Sequence, residues 1–354
     1  MSEAPKVATG ADRDDSLPST KVTAETIAAL RESLCSESTP LPLRFRALFS
    51  LKHVAKHDHD EKNYLAALEA IGAAFDSPSA LLKHELAYCL GQSGKTEATP
   101  PLRKALSDLQ EDPMCRHEAA EALGALGFPE NLDILREFLN REGENVAVKE
   151  TCEIAIDRIE WENSEQRKQE KLRQRAWLTR SSDFASIDPA PSMPDSVQSV
   201  EELEKSLMDT KAPLFIRYRA MFALRDLASP PDLPTATPAV LALAKGFSDP
   251  SALFRHEIAF VFGQLSHPAS IPALTAALSD TEEASMVRHE AAEALGSLGE
   301  EDGVEDILKG FLHDKEKVVR DSVIVALDMV DYEQSNQTEY ALIPESAPKT
   351  TVAA

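Results

Sequence analysis

Four His-Glu dipeptides punctuate this chain, at His84-Glu85, His117-Glu118, His256-Glu257 and His289-Glu290. An imidazole beside a carboxylate offers the nitrogen and oxygen donors of a transition-metal site, and no cysteine joins them, which argues against a structural thiolate zinc site. The spacing is regular: 33 residues separate His84 from His117 and His256 from His289, and 172 separate the two sets. Two imidazoles and a carboxylate with open positions suit non-haem Fe(II) and oxygen chemistry. Two such sets facing each other make a two-metal site. A binuclear zinc or manganese hydrolase draws on the same donors, and the residues alone leave it open.

Helices must position these groups. MCRHEAAEALGALG from Met114 returns as MVRHEAAEALGSLG from Met286, and ALLKHELAYCLGQ from Ala80 returns as ALFRHEIAFVFGQ from Ala252. Such self-similarity marks a duplication. On a wheel of about 100° per residue, His84, Glu85, Tyr88, Gly91 and Gln92 share one side, with Leu86 and Leu90 opposite. The same construction groups His117, Glu118, Glu121 and Gly124; His256, Glu257, Phe260 and Gly263; and His289, Glu290, Glu293 and Gly296. The leucines are expected to face the core and the His-Glu side another surface, where a glycine seven residues after each histidine leaves room for a ligand. Stacked helices lie roughly 8 to 10 Å apart, close enough for neighbouring imidazoles to meet on one ion. One dipeptide alone would read as decoration of a solvated face. Four in equivalent positions argue for a site.

The duplication extends to Arg44-Phe45-Arg46-Ala47-Leu48-Phe49 against Arg217-Tyr218-Arg219-Ala220-Met221-Phe222, and to Val148-Lys149-Glu150-Thr151 against Val319-Arg320-Asp321-Ser322. Breaks at Asp76-Ser77-Pro78, Asp112-Pro113 and Gly127-Phe128-Pro129 suit helix ends and starts. The chain is therefore expected to be all-α: an α-solenoid of eight HEAT-like helical hairpins in two pseudo-symmetric halves of four. The halves span 23–161 and 201–333, joined by a charged and Ser/Pro-rich linker at 162–200 that begins as a solvated helix. Tails at 1–22 and 334–354 are expected to be disordered. If each half supplies ligands to a shared cluster, the metals clamp the halves across a flexible linker, and removing them loosens the molecule.

With 37 basic and 60 acidic residues the net charge is −23, which disfavours nucleic acid and anionic membrane and favours a basic or polyamine-like partner. No apolar run approaches the roughly 18 residues of a membrane span, and the first residues lack a charged-then-apolar leader, so a soluble, intracellular protein is expected. Cys35, Cys89, Cys115 and Cys152 show no C-x-x-C spacing and read as core residues in a reducing compartment. His53, His57, His59, His267 and His313 have no counterparts in the other half and are expected at the surface. Arg44, Arg46, Arg217 and Arg219 are expected to cap or salt-bridge the ends of the solenoid. No Gly-rich phosphate loop marks a flavin or nicotinamide site.

Four His-Glu motifs in HEAT-like repeats, split into symmetric halves, closely resemble the deoxyhypusine hydroxylase family over about residues 25 to 333. The resemblance implies an iron-dependent monooxygenase with two Fe(II) ions per chain, O2 as co-substrate and an external reductant. It implies His84, His117 and Glu118 as ligands of one iron and His256, His289 and Glu290 as ligands of the other. Glu85 and Glu257 match positions of additional ligands or of groups that bind the substrate amine and serve catalysis, and Gly91, Gly263 and Met286 match substrate-site positions. The implied substrate is deoxyhypusine, a lysine carrying an aminobutyl group, on eukaryotic translation initiation factor 5A. A monomer in the cytoplasm is expected, with nuclear residence left open. A HEAT scaffold without chemistry is the non-enzyme alternative.

Overall fold

The computed structural model describes residues 22–176, 186–193 and 199–334, and among them it contains helices and no strand. The first half comprises α1 (Ala24–Cys35), α2 (Leu41–His57), α3 (Glu61–Ala73), α4 (Ala80–Gly91), α5 (Thr99–Ser107), α6 (Pro113–Leu126), α7 (Leu132–Asn140) and α8 (Val146–Glu162). After α9 (Glu165–Ala176) come α10 (Val200–Met208), α11 (Leu214–Ala228), α12 (Ala236–Ala244), α13 (Ala252–Leu265), α14 (Ile271–Ser279), α15 (Ser285–Gly296), α16 (Val304–Lys309) and α17 (Lys317–Gln334). The tails expected to lack order lie outside the described residues, apart from Val22 and the end of α17. The expected helix at the start of the linker is present as α9.

Short polar caps set the helix starts. Asp112 accepts a hydrogen bond from the Met114 amide at 2.9 Å and Pro113 takes the first turn of α6, whose end is marked by Gly127 at φ 74°. Ser79 and Ser251 cap α4 and α13 in the same way, at 3.2 and 3.0 Å. The basic residue before each site histidine then fixes how its helix is rotated. Lys83 pairs with Glu111 at 2.6 Å, Arg116 with Glu144 at 2.7 Å, Arg255 with Glu283 at 2.6 Å, and Arg288 with Asp314. Arg116 and Arg288 also donate to the Leu106 and Leu278 carbonyls at the ends of α5 and α14. Each pair thereby binds a histidine helix to the next repeat.

The even-numbered helices of the first half and the odd-numbered helices of the second form an inner row, in which α2, α4, α6 and α8 pack successively, then α11, α13, α15 and α17. The row closes on itself, because α8 packs on α11 and α17 packs on α2. Each half also lends a side chain to the other's core: Val325 of α17 sits in the first hydrophobic cluster and Ile154 of α8 in the second. The inner row is thus buried on both sides. In α4 every residue from His84 to Gly91 is buried, and the His-Glu side faces the centre of a ring.

The duplicated arginines serve the joints. Arg46 of α2 makes a bidentate pair with Asp328 of α17, 2.8 Å on both arms. At the other joint its counterpart Arg219 donates instead to Glu170 at 2.8 Å and to the Pro191 and Ser192 carbonyls at 3.2 and 3.3 Å. Asp157, in the position of Asp328, is left without that cation, and burial, reinforced by Glu153 and Glu160, pushes its carboxyl up to about 6. A raised carboxyl penalises the fold only where it is ionised, so the penalty is absent below about pH 4 and complete above the folded-state value. Asp157→Asn is expected to stabilise the protein at pH 7 by at most about 1 kcal/mol, since the group is only partly buried and solvent screens it. At pH 4 it gains nothing, as urea unfolding at the two pH values would show.

Candidate metal centre

The four histidines converge. Ring centroids of His84 lie 5.4 Å from His117, 5.7 Å from His256 and 5.2 Å from His289. His256 lies 5.2 Å from His117 and 5.5 Å from His289. Helices α4 and α6 of one half and α13 and α15 of the other supply them, so the cluster exists only because the ring closes. All eight residues of the dipeptides are buried, with His117 and His289 at 0 % exposure. A solvated decoration is excluded by that burial.

Carboxylates surround the rings with a near-twofold pattern. His84 Nε2 lies 3.3 Å from Glu118 Oε2, and His256 Nε2 lies 3.3 Å from Glu290 Oε2. His84 Nδ1 faces Glu85 at 3.2 Å, and His289 Nδ1 faces Glu293 at 3.5 Å. Donor atoms of His256, His289 and Glu290 all fall within 4.8 Å of one another, as do those of His84, His117 and His256, and those of His117, Glu118 and Glu121. Glu121 and Glu293, four residues after the second histidine of each half, thus belong to the centre. The wheel placed them on the right side, but nothing in spacing alone gave them a role. Ser322 of α17 donates to Glu293 at 2.9 Å.

The electrostatics call for cations. Burial, then the charges of Glu257 and Glu118, hold the Glu121 carboxyl well above the usual carboxylate range. Glu257 is raised by burial and by Glu118, and Glu293 by burial and by Glu85. Burial pulls the His84 imidazole down, but Glu118 and Glu85 outweigh it and hold it well above the ordinary value. His117 and His289 are held well below it by burial and by the neighbouring imidazoles. Both ring nitrogens of His117, His256 and His289 are buried without a hydrogen-bond partner, and so is Glu257 Oε1. Orphaned buried donors and acceptors carry a cost unless something satisfies them. Imidazoles with unpartnered nitrogens among close-packed carboxylates fit bound divalent metal.

A cavity reaches the centre, walled by Tyr88 and Phe260, equivalent residues whose rings are 6.0 Å apart, and by Phe45, Phe49, Val325 and Met329. Glu85, Glu257 and Gly263 line it. The other substrate-site expectations fare differently. Gly91 does not leave a space: a Cβ there would lie 2.8 Å from the Ala122 Cα, so the glycine serves the close approach of α4 to α6. Gly124 and Gly296 likewise abut Ala155 and Ala326. Met286 is half-buried against the second core and is not among the residues that line the cavity.

Among the remaining histidines, His57, His59 and His313 are exposed as expected, with His57 at the end of α2. His267 is a correction: it is buried at 7 % exposure, and its Nδ1 accepts the Ala269 amide at 3.1 Å as a helix cap. Cys89, Cys115 and Cys152 are free and buried, and Cys35 is free and exposed. No described helix is long and apolar enough to cross a membrane.

The chain matches the family of HEAT repeats over residues 67–154 and 237–328. It is 74% identical over 328 residues to a deoxyhypusine hydroxylase of Neurospora crassa, covering 92% of this chain and 99% of the relative. It is 73% identical to one of Gibberella zeae, covering 91% of this chain and 94% of that relative. A solved structure of human deoxyhypusine hydroxylase in complex with glycerol superposes with a TM-score of 0.74 at 42% identity, covering 87% of this chain and 96% of the human one.

Proposed function

The chain belongs to the deoxyhypusine hydroxylase family, and from that premise we propose that it hydroxylates the deoxyhypusine side chain of eukaryotic translation initiation factor 5A at a pair of iron ions, giving hypusine. His84, His117 and Glu118 would hold one ion, and His256, His289 and Glu290 the other. The observation that carries this reading is the meeting of four imidazoles from two halves, with their buried nitrogens unpartnered, among carboxylates. Iron held there would supply O2 activation, by which one oxygen atom would enter a C–H bond and the other leave as water, with two electrons drawn from an external reductant.

The chain's own residues do the remainder. Glu85 and Glu257 face the cavity, and the unpartnered Glu257 Oε1 suits a charge-assisted hydrogen bond from a substrate ammonium. Tyr88 and Phe260 present apolar faces to the methylenes of the aminobutyl chain. Burial of the dipeptides keeps bulk water from the reacting carbon. The net charge of −23 favours encounter with a cationic substrate loop. A cytoplasmic monomer, also compatible with the nucleus, is the working form in this reading.

Elemental analysis of freshly purified protein, coupled to an assay on the deoxyhypusine form of the initiation factor under air and under argon, tests it. Two irons per chain and product only under air are expected. Zinc or manganese with oxygen-independent turnover would establish a binuclear hydrolase instead, and metal-free protein without turnover would leave a scaffold.

A further inference from the structure

The duplication should give the centre two entrances, yet its two sides are unlike. On one side the cavity extends between α2 and α17, where the half-buried Phe49 and Met329, with Val325, line it. The equivalent positions between α11 and α8 are Phe222, Ile154 and Arg158. There Phe222 is at 0 % exposure whereas Phe49 is half-buried; Ile154 and Val325 are equally buried, at 2 %.

Residues 186–193 of the connector cover them. Ala190 is fully buried and belongs to the same apolar cluster as Ile154 and Phe222. Gln92 and Gln264, duplicated residues at the ends of α4 and α13, grip this segment from both halves. The Gln92 side chain donates to the Ile187 carbonyl at 3.1 Å and accepts from its amide at 2.7 Å, while Gln264 Nε2 donates to Ser186 Oγ at 2.9 Å. Asp188 pairs with the buried Arg225 at 2.9 Å, and its carbonyl accepts from Arg158 at 3.2 Å. Arg158 stands where the open side has Met329, so a cation tied to the connector replaces an apolar wall. A solvated linker has no need of such contacts; burying these groups in partnered form fixes the segment against the ring.

We propose that residues 186–193 plug one of two symmetry-related entrances, so that a long aliphatic ammonium side chain reaches the centre only between α2 and α17. Naming that side chain rests on the function proposed above; the closure itself does not. Phe49, Val325 and Met329 give the open mouth apolar walls for methylenes, and the carboxylates beyond them receive the charge. One entrance imposes one direction on a substrate entering a nearly symmetric centre, so its terminal amine always meets the same carboxylates.

The test uses full-length, iron-loaded protein in a Cys35→Ser background. Phe49→Cys and Phe222→Cys, each checked for native circular dichroism, are treated with 2-aminoethyl methanethiosulfonate, a small cationic thiol reagent. Labelling is expected to be at least 100-fold faster at Phe49→Cys, and adding Asp188→Ala to Phe222→Cys should speed its labelling at least tenfold. Equal rates at the two positions would overturn the plug. Met329→Arg, which copies the closed side, should lower kcat/KM for the protein substrate at least tenfold, mainly through KM, with iron content and the iron absorption band unchanged. A change under twofold in that folded, iron-loaded variant would overturn the assigned entrance. If wild-type protein hydroxylates nothing while the labelling difference holds, the functional reading falls and the plug stands.

Discussion

His117→Ala is expected to lower bound iron from two ions per chain toward one and to reduce turnover by well over the roughly 10–100-fold that loss of an outer-shell partner costs a metal site. The metal-free variant should unfold within a few degrees of metal-free wild type. That second half separates a ligand from a structural residue. His117 is fully buried with neither nitrogen hydrogen-bonded, so deleting it breaks no internal polar contact. A packing residue of its size would instead cost about 2–5 kcal/mol on truncation to alanine. His289→Ala should behave alike, since His289 has the same burial and no hydrogen bond in the other half, with only the 3.5 Å approach of its Nδ1 to Glu293 to lose. Iron analysis, turnover and thermal unfolding of the two variants, with and without metal, check the expectation. Retention of both ions would remove His117 from the ligand set.

Removing iron is the second large perturbation. Without metal, Glu85, Glu118, Glu121, Glu257, Glu290 and Glu293 line one cavity that no Lys or Arg lines, and Arg225 behind Glu257 offsets their charge only in part. Metal at 100 times its dissociation constant adds about 2.7 kcal/mol per independent site, so two sites contribute roughly 5 kcal/mol. For a chain of this size that corresponds to a fall in Tm on the order of 10 °C on chelation. The sequence suggested further that losing the metals would loosen the molecule across its linker. The structure argues otherwise, because Arg46–Asp328 closes one joint and the Asp188–Arg225 pair with the two glutamines holds the other. A lower Tm with unchanged radius of gyration in small-angle scattering is therefore expected. An expansion on chelation would show that the metals, rather than these contacts, keep the ring closed.

Much of the centre could be read from residues. The repeated segments carrying His84, His117, His256 and His289 marked both the helices and the shared side of each, because helical period and duplication are local properties of a sequence. Closure of the ring is not local. Arg46 and Asp328 are 282 residues apart, and no periodicity announces their contact. The sequence therefore led to two facing His-Glu sets, which the structure brings together, but gave no sign of the contacts that close the ring around them. The glycines misled for a related reason: a missing side chain opens a gap only if nothing approaches, and at Gly91 the backbone of Ala122 does. The connector's composition, rich in Ser, Pro and Asp, signalled a linker and concealed that Ser186, Ile187 and Asp188 are bound on several sides. The basic residue before each histidine was visible in every motif, yet its acidic partner, a repeat further on, emerges only from the fold.

Anomalous diffraction at the iron edge from crystals of the iron-loaded protein tests the central claim most directly. Two peaks should stand between the halves, one within bonding reach of His84, His117 and Glu118 and the other of His256, His289 and Glu290. A single peak, or iron found only outside the ring, would contradict a centre assembled from both halves.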